Sequence, residues 1–297
     1  MGEVSLEFLR TKALWCRQQV TLMALRANSG HLSTAFSEME QLVELYYNGI
    51  LRFDPKNPRW DARDRFILSK GQGGIGIYPI LADLGFFPVA ELERFCRGGI
   101  LGVHAEWNIP GIEVLTGSLG HGLPIATGMA LAARADGKEH YVVCMLGDGE
   151  LYEGSNWEAM FTAGHHRLGH LICVVDRNKQ ATIGRTDDIK TKADGPMIEP
   201  LDAKFESFGF VTVKVDGHSF EELDTAFIAA KNRGLFDEPV CIVAGTVKGK
   251  GVKIMEDQTF FPNHYRLPFG EDLKVLLRDL QMDPEEFKVQ VGRDVGY

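Results

Sequence analysis

Short apolar segments rich in β-branched residues alternate with helical segments along most of this 297-residue chain. The strand-like segments are RFILS (65–69), YVVCML (141–146), HLICVVD (170–176), FVTVKV (210–215) and VCIVAGTV (240–247). The helical patterns cover residues 4–28, 37–51, 74–84, 122–135, 154–168, 199–208 and 219–233. Nearly continuous apolar strands separated by helices are typical of a parallel sheet covered on both faces. The pattern predicts an α/β protein with a doubly wound, largely parallel sheet and helices on both faces.

No repeat, low-complexity stretch or Pro/Ser-rich linker divides the chain. We therefore expect one domain over residues 1–270 and a C-terminal helical tail over 271–297, where strand-like segments are few. We also expect the second helix to begin with Ser37 as its N-cap, because Glu40 three residues later completes a capping box.

Charge and hydropathy exclude several classes of protein. The chain has 32 Lys and Arg residues against 41 Asp and Glu residues, so its net charge of −9 disfavours a nucleic-acid partner. No apolar run approaches the roughly 18 residues of a membrane span, and the charged N-terminal segment lacks the apolar core of a signal peptide. Five scattered cysteines indicate reduced, mostly buried thiols rather than a disulfide framework. We expect a cytoplasmic protein without membrane association.

Polar residues follow two neighbouring strands of the predicted sheet. Asp148 lies between Gly147 and Gly149 directly after one strand, and Asn178 follows the next strand. Because parallel strands end at the same edge of a sheet, the two side chains could face each other across 30 residues of sequence. Carboxylate and amide oxygens suit Mg²⁺, which takes its other ligands from phosphate, carbonyl or water. The glycines and a helix that begins near Gly154 favour an anion there.

This segment resembles the transketolase family, whose thiamine diphosphate signature is GDG followed about 30 residues later by Asn. Other motifs agree over about residues 10–270. They are Ser29-Gly30-His31, the segment FDPKNPRWDARDRFILSKGQGG (53–74), Gly102–Glu106, Thr116–Gly122 and Lys248–Gly251 with His264. The resemblance implies a thiamine-diphosphate-binding fold, with residues 1–270 as its diphosphate- and Mg²⁺-binding domain.

The resemblance also implies a role for individual residues. Asp148, Asn178 and the backbone carbonyl of Gln180 would coordinate Mg²⁺, with Ca²⁺ or Mn²⁺ as alternatives. The residues that would bind thiamine diphosphate are Gln72, Gly117, Leu119, Gly147, Asp148, Gly149, Glu150, Asn178 and His264. Among these, Gly149 and Glu150 would offer backbone amides to the diphosphate, and Gly117 and Leu119 would support the aminopyrimidine ring.

The remaining implied roles concern catalysis and assembly. His31, His104 and His264 would line the substrate channel, hydrogen-bond the hydroxyls of a ketose and move protons. Glu153 resembles the acidic residue that pairs across the subunit interface in this family.

Two positions depart from the family pattern. Gln72 stands where the family has a histidine near the diphosphate, and an amide can donate a hydrogen bond but cannot relay a proton. Tyr265, followed by Arg266, stands where a glycine is expected after His264. These departures suggest a specialised substrate.

The chain contains nothing that resembles the pyrimidine-binding half of a transketolase. That half supplies a glutamate needed to activate the cofactor. We therefore expect an N-terminal subunit that acts with a separately encoded C-terminal-half subunit, most simply as an α₂β₂ heterotetramer. We expect the complex to transfer a two-carbon ketol unit from a phosphorylated ketose to an aldehyde acceptor.

Three alternatives remain open from the sequence. The chain could belong to another carboligase that uses thiamine diphosphate, similar to deoxyxylulose-phosphate synthase, or be the α subunit of a 2-oxo-acid dehydrogenase. It could also be a catalytically degenerate scaffold subunit, which the Gln72 and Tyr265 departures would favour.

Overall fold

Five parallel strands form the central sheet of the computed structural model, which describes residues 4–182, 184–186, 198–234, 237–257 and 264–292. The strands are β1 (Arg65–Leu68), β2 (Val142–Gly147), β3 (Leu171–Arg177), β4 (Gln180–Ala181), β5 (Gly184–Arg185), β6 (Val211–Asp216) and β7 (Val240–Gly245). The sheet order is β1-β2-β3-β7-β6, and all its neighbours are parallel. The pair β4 and β5 forms a separate short antiparallel ladder.

Helices precede, connect and follow these strands. Within the described residues they are α1 (Leu6–Ala27), α2 (Leu32–Ser37), α3 (Met39–Tyr47), α4 (Gly74–Asp83), α5 (Gly122–Ala135), α6 (Gly154–His165), α7 (Leu201–Ser207), α8 (Phe220–Gly234), α9 (Lys253–Glu256), α10 (Glu271–Asp279) and α11 (Pro284–Val291). Each strand of the parallel sheet begins within two residues of the predicted segment, because strand and helix periodicity are local properties of the sequence.

Alternate residues of the strands face two different apolar cores. Val143 and Val174 pack in one core with buried residues of α1 to α4 and α8. Cys144 and Cys173, one position away, pack in the other core with residues of α5, α6 and α7. Successive side chains of a strand point to opposite faces of the sheet, so helices cover both faces. The prediction of a parallel sheet between two helical layers is confirmed.

The predicted N-cap at Ser37 is wrong. Ser37 is the last residue of α2, and α3 begins only at Met39. The Ser37 hydroxyl donates to Asp176 Oδ2 at 2.6 Å, so a buried carboxylate uses the group that would have capped the helix. Glu40 likewise binds Arg17 through both carboxylate oxygens, at 2.7 and 2.8 Å.

The two C-terminal helices share a core with the N-terminal helix. Leu276 of α10 and Phe287 of α11 are buried in the same cluster as Leu9 and Leu22 of α1. Arg26 Nε donates to the carbonyl of Gln290 at 2.6 Å. The division of the chain into a domain over residues 1–270 and a helical tail over 271–297 stays a prediction. Within the described ranges, every helix is too short or too polar to cross a bilayer.

Candidate active site

A cavity of about 260 Å³ lies at the carboxyl ends of the central strands. Its walls contain all the residues predicted to bind cofactor, metal or substrate. These are His31, Gln72, His104, Gly117, Leu119, Gly147, Asp148, Gly149, Glu150, Asn178, Gln180 and His264. The walls also contain residues to which the sequence assigned no role of their own, namely Thr34, Lys70, Ala181, Thr182 and Lys248.

Asp148 is held by three donors directly after β2. Its Oδ2 accepts hydrogen bonds from the Lys179 amide at 2.7 Å and from the Thr186 hydroxyl at 2.6 Å. Its Oδ1 accepts one from the Gly149 amide at 2.9 Å, so a diphosphate would compete with this carboxylate for that amide. Burial raises the pKa of Asp148 to about 6. A bound cation would favour the charged form of this carboxylate.

The side chain of Asn178 is fixed through its amide nitrogen. Nδ2 donates to Asp176 Oδ2 at 3.2 Å and to Ser37 Oγ at 3.3 Å. The oxygen, Oδ1, accepts only a 3.1 Å hydrogen bond from the Gln180 amide among the contacts of the described residues, and a carbonyl oxygen has two lone pairs. Lys179, which bonds Asp148, adjoins Asn178, so the two strand ends meet as the sequence suggested.

Asp176 joins four segments of the chain beneath the cavity. Its carboxylate accepts hydrogen bonds from Ser37, Lys70, Asn178 and Thr246. Lys70 Nζ also lies 2.9 Å from Glu38 Oε2. These groups are buried, and the Lys70 charge lowers the pKa of Asp176 although burial opposes this. Burial raises the pKa of Glu38 to about 8.

The Glu150 side chain hydrogen-bonds to three segments of the chain. Its carboxylate accepts hydrogen bonds from Ser69 Oγ at 2.5 Å, from the Gly120 amide at 2.9 Å and from the Gly147 amide at 3.2 Å. The sequence suggested a role only for the Glu150 backbone. The side chain was missed because two of its partners, Ser69 and Gly120, lie far from it in sequence.

Three histidine rings form a cluster on one wall. The His31 ring centroid lies 5.3 Å from that of His264 and 6.3 Å from that of His104. Burial lowers the pKa of His31 to about 4 and that of His264 to about 3, and it also lowers the pKa of His104. The rings are therefore neutral at pH 7, and each can donate one hydrogen bond and accept another.

Lys248 determines which nitrogen of His264 carries the proton. Lys248 Nζ lies 2.7 Å from His264 Nδ1. Burial lowers the pKa of Lys248 to about 8, so the amine is still mostly protonated at pH 7 and can only donate. Nδ1 of His264 then accepts, and Nε2 carries the hydrogen. The KGKG motif was the sequence signal for Lys248, but its contact with His264 was not predictable.

Glu153 lies outside the cavity. It is exposed directly before α6, and its Cβ lies close to Gly120, where an added Cβ would approach it to 2.4 Å. The role of Glu153 at a subunit interface stays a prediction.

Four cavity residues have a buried polar atom without a hydrogen-bond partner among the described residues. These atoms are His31 Nδ1, Thr34 Oγ1, Gln72 Oε1 and His104 Nδ1. Buried polar groups without partners are costly, so this arrangement fits a cavity that a polar ligand completes. Gly117 leaves room for a ligand beside His104, since a Cβ there would lie 3.0 Å from the imidazole ring.

A comparison with family models decides the family. Residues 16–294 match the family described as "Transketolase, thiamine diphosphate binding domain". The chain belongs to the transketolase family.

Individual transketolases show the same relationship. The chain is 34% identical over 283 residues to an apulose-4-phosphate transketolase subunit from Actinobacillus succinogenes, and the alignment covers 94% of this chain and 98% of that protein. It is 39% identical over 229 residues to "6-deoxy-6-sulfo-D-fructose transketolase subunit SqwG" of Clostridium sp., covering 76% and 80%. The structure of Campylobacter jejuni transketolase aligns with a TM-score of 0.83 at 29% identity, over 97% of this chain and 46% of that one.

These relationships confirm the predicted family and the thiamine-diphosphate-binding fold. The chain spans about half the length of the solved transketolases that it matches, and nearly the full length of a relative named as a subunit. Transketolases are ketol-transferring enzymes, so the 2-oxo-acid dehydrogenase and synthase alternatives are not favoured.

The oxygen donors of the cavity fit a divalent cation with a diphosphate. Within the described ranges, no cluster of three His, Cys, Asp or Glu side chains could hold a metal by itself. A cation beside Asp148 would therefore need amide, carbonyl and diphosphate oxygens, which is the ligand chemistry of Mg²⁺. Together with the unpartnered polar atoms, this donor set fits thiamine diphosphate bound through Mg²⁺.

Proposed function

We propose that this chain is the diphosphate-binding subunit of a two-subunit transketolase that requires thiamine diphosphate and Mg²⁺. The complex transfers a two-carbon ketol unit from a ketose to an aldehyde acceptor. The observation that carries this proposal is one cavity that combines the oxygen ligands Asp148 and Asn178 with three neutral histidines. Two relatives are named for substrates with a phosphate or a sulfonate, which supports a ketose with a terminal anionic group.

The cofactor would be bound by the strand ends and the loops beside them. Asp148, Asn178 and the Gln180 carbonyl would bind Mg²⁺, and Gly149 and Glu150 would offer amides to the diphosphate. Gln72 and Gly147 would line the diphosphate end, and Gly117 and Leu119 would support the pyrimidine ring. When bound, thiamine diphosphate supplies the nucleophilic carbon that breaks and forms carbon–carbon bonds next to a carbonyl.

The histidines would handle the protons of the sugar hydroxyls. His264 presents Nε2–H as a donor because Lys248 occupies its Nδ1. His31 and His104 each have an unpartnered Nδ1 among the described residues and a lowered pKa, so neutral rings are available to accept or donate a hydrogen bond at pH 7. These residues would orient a ketose and move protons during its cleavage.

A second polypeptide would complete the site. Two relatives are named as individual subunits of apulose-4-phosphate transketolases. A third relative, mouse transketolase, is a longer protein, and the alignment covers only 36% of its length. Trp107 and Leu115 lie on the segment between His104 and Gly117 and are 62% and 53% exposed. Large exposed apolar side chains next to a site fit a protein partner, here the C-terminal-half subunit in an α₂β₂ assembly. Glu153 would pair across a subunit interface.

The proposal predicts that neither subunit is active by itself. We expect ketol transfer only when the chain, the product of a neighbouring gene encoding a pyrimidine-binding half, thiamine diphosphate and Mg²⁺ are mixed. A coupled assay with a ketose phosphate donor and an aldose acceptor measures it. Full activity of this chain alone would contradict the two-subunit site. A complex that binds cofactor but releases CO₂ from pyruvate would favour the carboligase alternative, and a complex that binds no cofactor would indicate a scaffold.

We expect the exposed segment near the cavity to contribute to assembly. The double variant Trp107→Ala, Leu115→Ser should weaken the association of the two subunits by about 10-fold or more, because aromatic anchors contribute strongly to interfaces. Titration of the partner by calorimetry measures the affinity. The control Val289→Ser changes an 82% exposed side chain on α11 and should leave the affinity within about twofold. Equal affinities for both variants would place the interface elsewhere.

A further inference from the structure

Tyr265 lies beside the cavity, next to the wall residues His31 and His264. Its hydroxyl lies 3.1 Å from Ser29 Oγ, and its ring centroid lies 4.6 Å from that of His31 at an interplanar angle of 68°. The side chain is 49% exposed. The ring therefore packs against a cavity histidine while about half of the residue is exposed.

Both residues of this hydrogen bond are close in sequence to residues of the cavity wall. Ser29 precedes His31 by two positions, and Tyr265 directly follows His264. The next residue, Arg266, pairs with Asp272 at 3.1 Å, which ties the segment to α10. The ring is thus anchored through its hydroxyl and through its backbone. A glycine at this position would leave the same space open.

We propose that Tyr265 determines substrate size at the entrance to the transketolase site. This inference rests on the proposed function. The anchored ring narrows the passage over His31, so the complex selects short aldehyde acceptors and discriminates against long ones. A rigid aromatic side chain with few rotatable bonds suits such a wall, because moving it aside would break its hydrogen bond with Ser29.

The test compares two acceptors in the reconstituted complex. For the wild type and the variants, kcat/KM is measured with glycolaldehyde, which has two carbons, and with D-ribose 5-phosphate, which has five, using the same donor. We expect Tyr265→Ala to raise the ratio of kcat/KM for D-ribose 5-phosphate to kcat/KM for glycolaldehyde by about 10-fold. Tyr265→Phe keeps the ring but loses the hydrogen bond with Ser29, so its ratio should lie between that of the wild type and that of Tyr265→Ala. Phe269→Ala, which removes another exposed aromatic ring on the same segment, should not change the ratio.

Calorimetry of thiamine diphosphate binding shows whether Tyr265→Ala changes only the selection of the acceptor or also disturbs the structure of the site. We expect Tyr265→Ala to bind the cofactor within about twofold of the wild type. The assignment would be overturned by an unchanged ratio of the two kcat/KM values, as when activity falls equally with both acceptors, or by a Tyr265→Phe ratio that matches that of Tyr265→Ala. In either case ketol transfer by the wild-type complex would still support the proposed function. Absence of transfer by the wild-type complex would overturn the proposed function together with this inference.

Discussion

Asp148→Asn should weaken the binding of thiamine diphosphate at a fixed Mg²⁺ concentration by about 100-fold or more. The substitution keeps the size of the side chain and removes the negative charge that would bind the cation. Loss of one partner of a buried charge pair costs about 2–5 kcal/mol, and 100-fold corresponds to about 2.7 kcal/mol. Calorimetric titration of the assembled complex measures the effect.

The fold should tolerate this substitution. An asparagine oxygen can still accept from Lys179 and Thr186, so the main loss is the hydrogen bond from the Gly149 amide, about 1 kcal/mol. Asp202→Asn is a matched control, because the Asp202 carboxylate pairs with Lys214 on α7 and β6 away from the cavity. That variant should bind the cofactor as the wild type does. Unchanged affinity in Asp148→Asn would rule out Asp148 as a ligand of the cation.

Gly164→Ala should destabilise the protein by about 3 kcal/mol or more. Gly164 lies in α6, and a Cβ there would stand 1.6 Å from the carbonyl oxygen of Phe208 at the end of α7. A backbone atom cannot rotate away like a side chain, so the helices would have to separate, and overpacking of this kind typically costs about 1–3 kcal/mol or more. Urea denaturation followed by circular dichroism gives the free energy of unfolding.

Gly128→Ala is the same substitution in another helix, and we expect it to stabilise the protein. Gly128 lies inside α5, and a Cβ there would meet no atom within 4 Å outside its own helix in the part of the chain that the structure describes. Alanine in an open helical position stabilises by about 0.5–1 kcal/mol, since it restricts the unfolded chain. If Gly164→Ala and Gly128→Ala both unfolded at the same urea concentration as the wild type, Gly164 and the carbonyl of Phe208 could not be as close as they are in the structure.

The sequence contained enough information for the order of the elements and for the position of the site. Strand and helix periodicity are read over a few residues, and they placed all five strands of the parallel sheet. Parallel strands end at one edge, so Asp148 and Asn178 were expected there, and the Lys179 amide that bonds Asp148 shows how closely the two strand ends meet. The family motifs then supplied the histidines and glycines of the cavity, and the structure brings these residues together.

Other features were decided only by the tertiary structure. Ser37 has the sequence pattern of a helix cap, yet its hydroxyl serves Asp176, which lies 139 positions away. Glu150 braces three loops, and Lys248 fixes the proton of His264, although no local pattern marks either contact. Tyr265 was visible as a departure from a pattern, but its contact with His31 was not. Periodicity is set by neighbours along the chain, whereas the partner of a buried polar group is whichever donor or acceptor folding brings within about 3 Å.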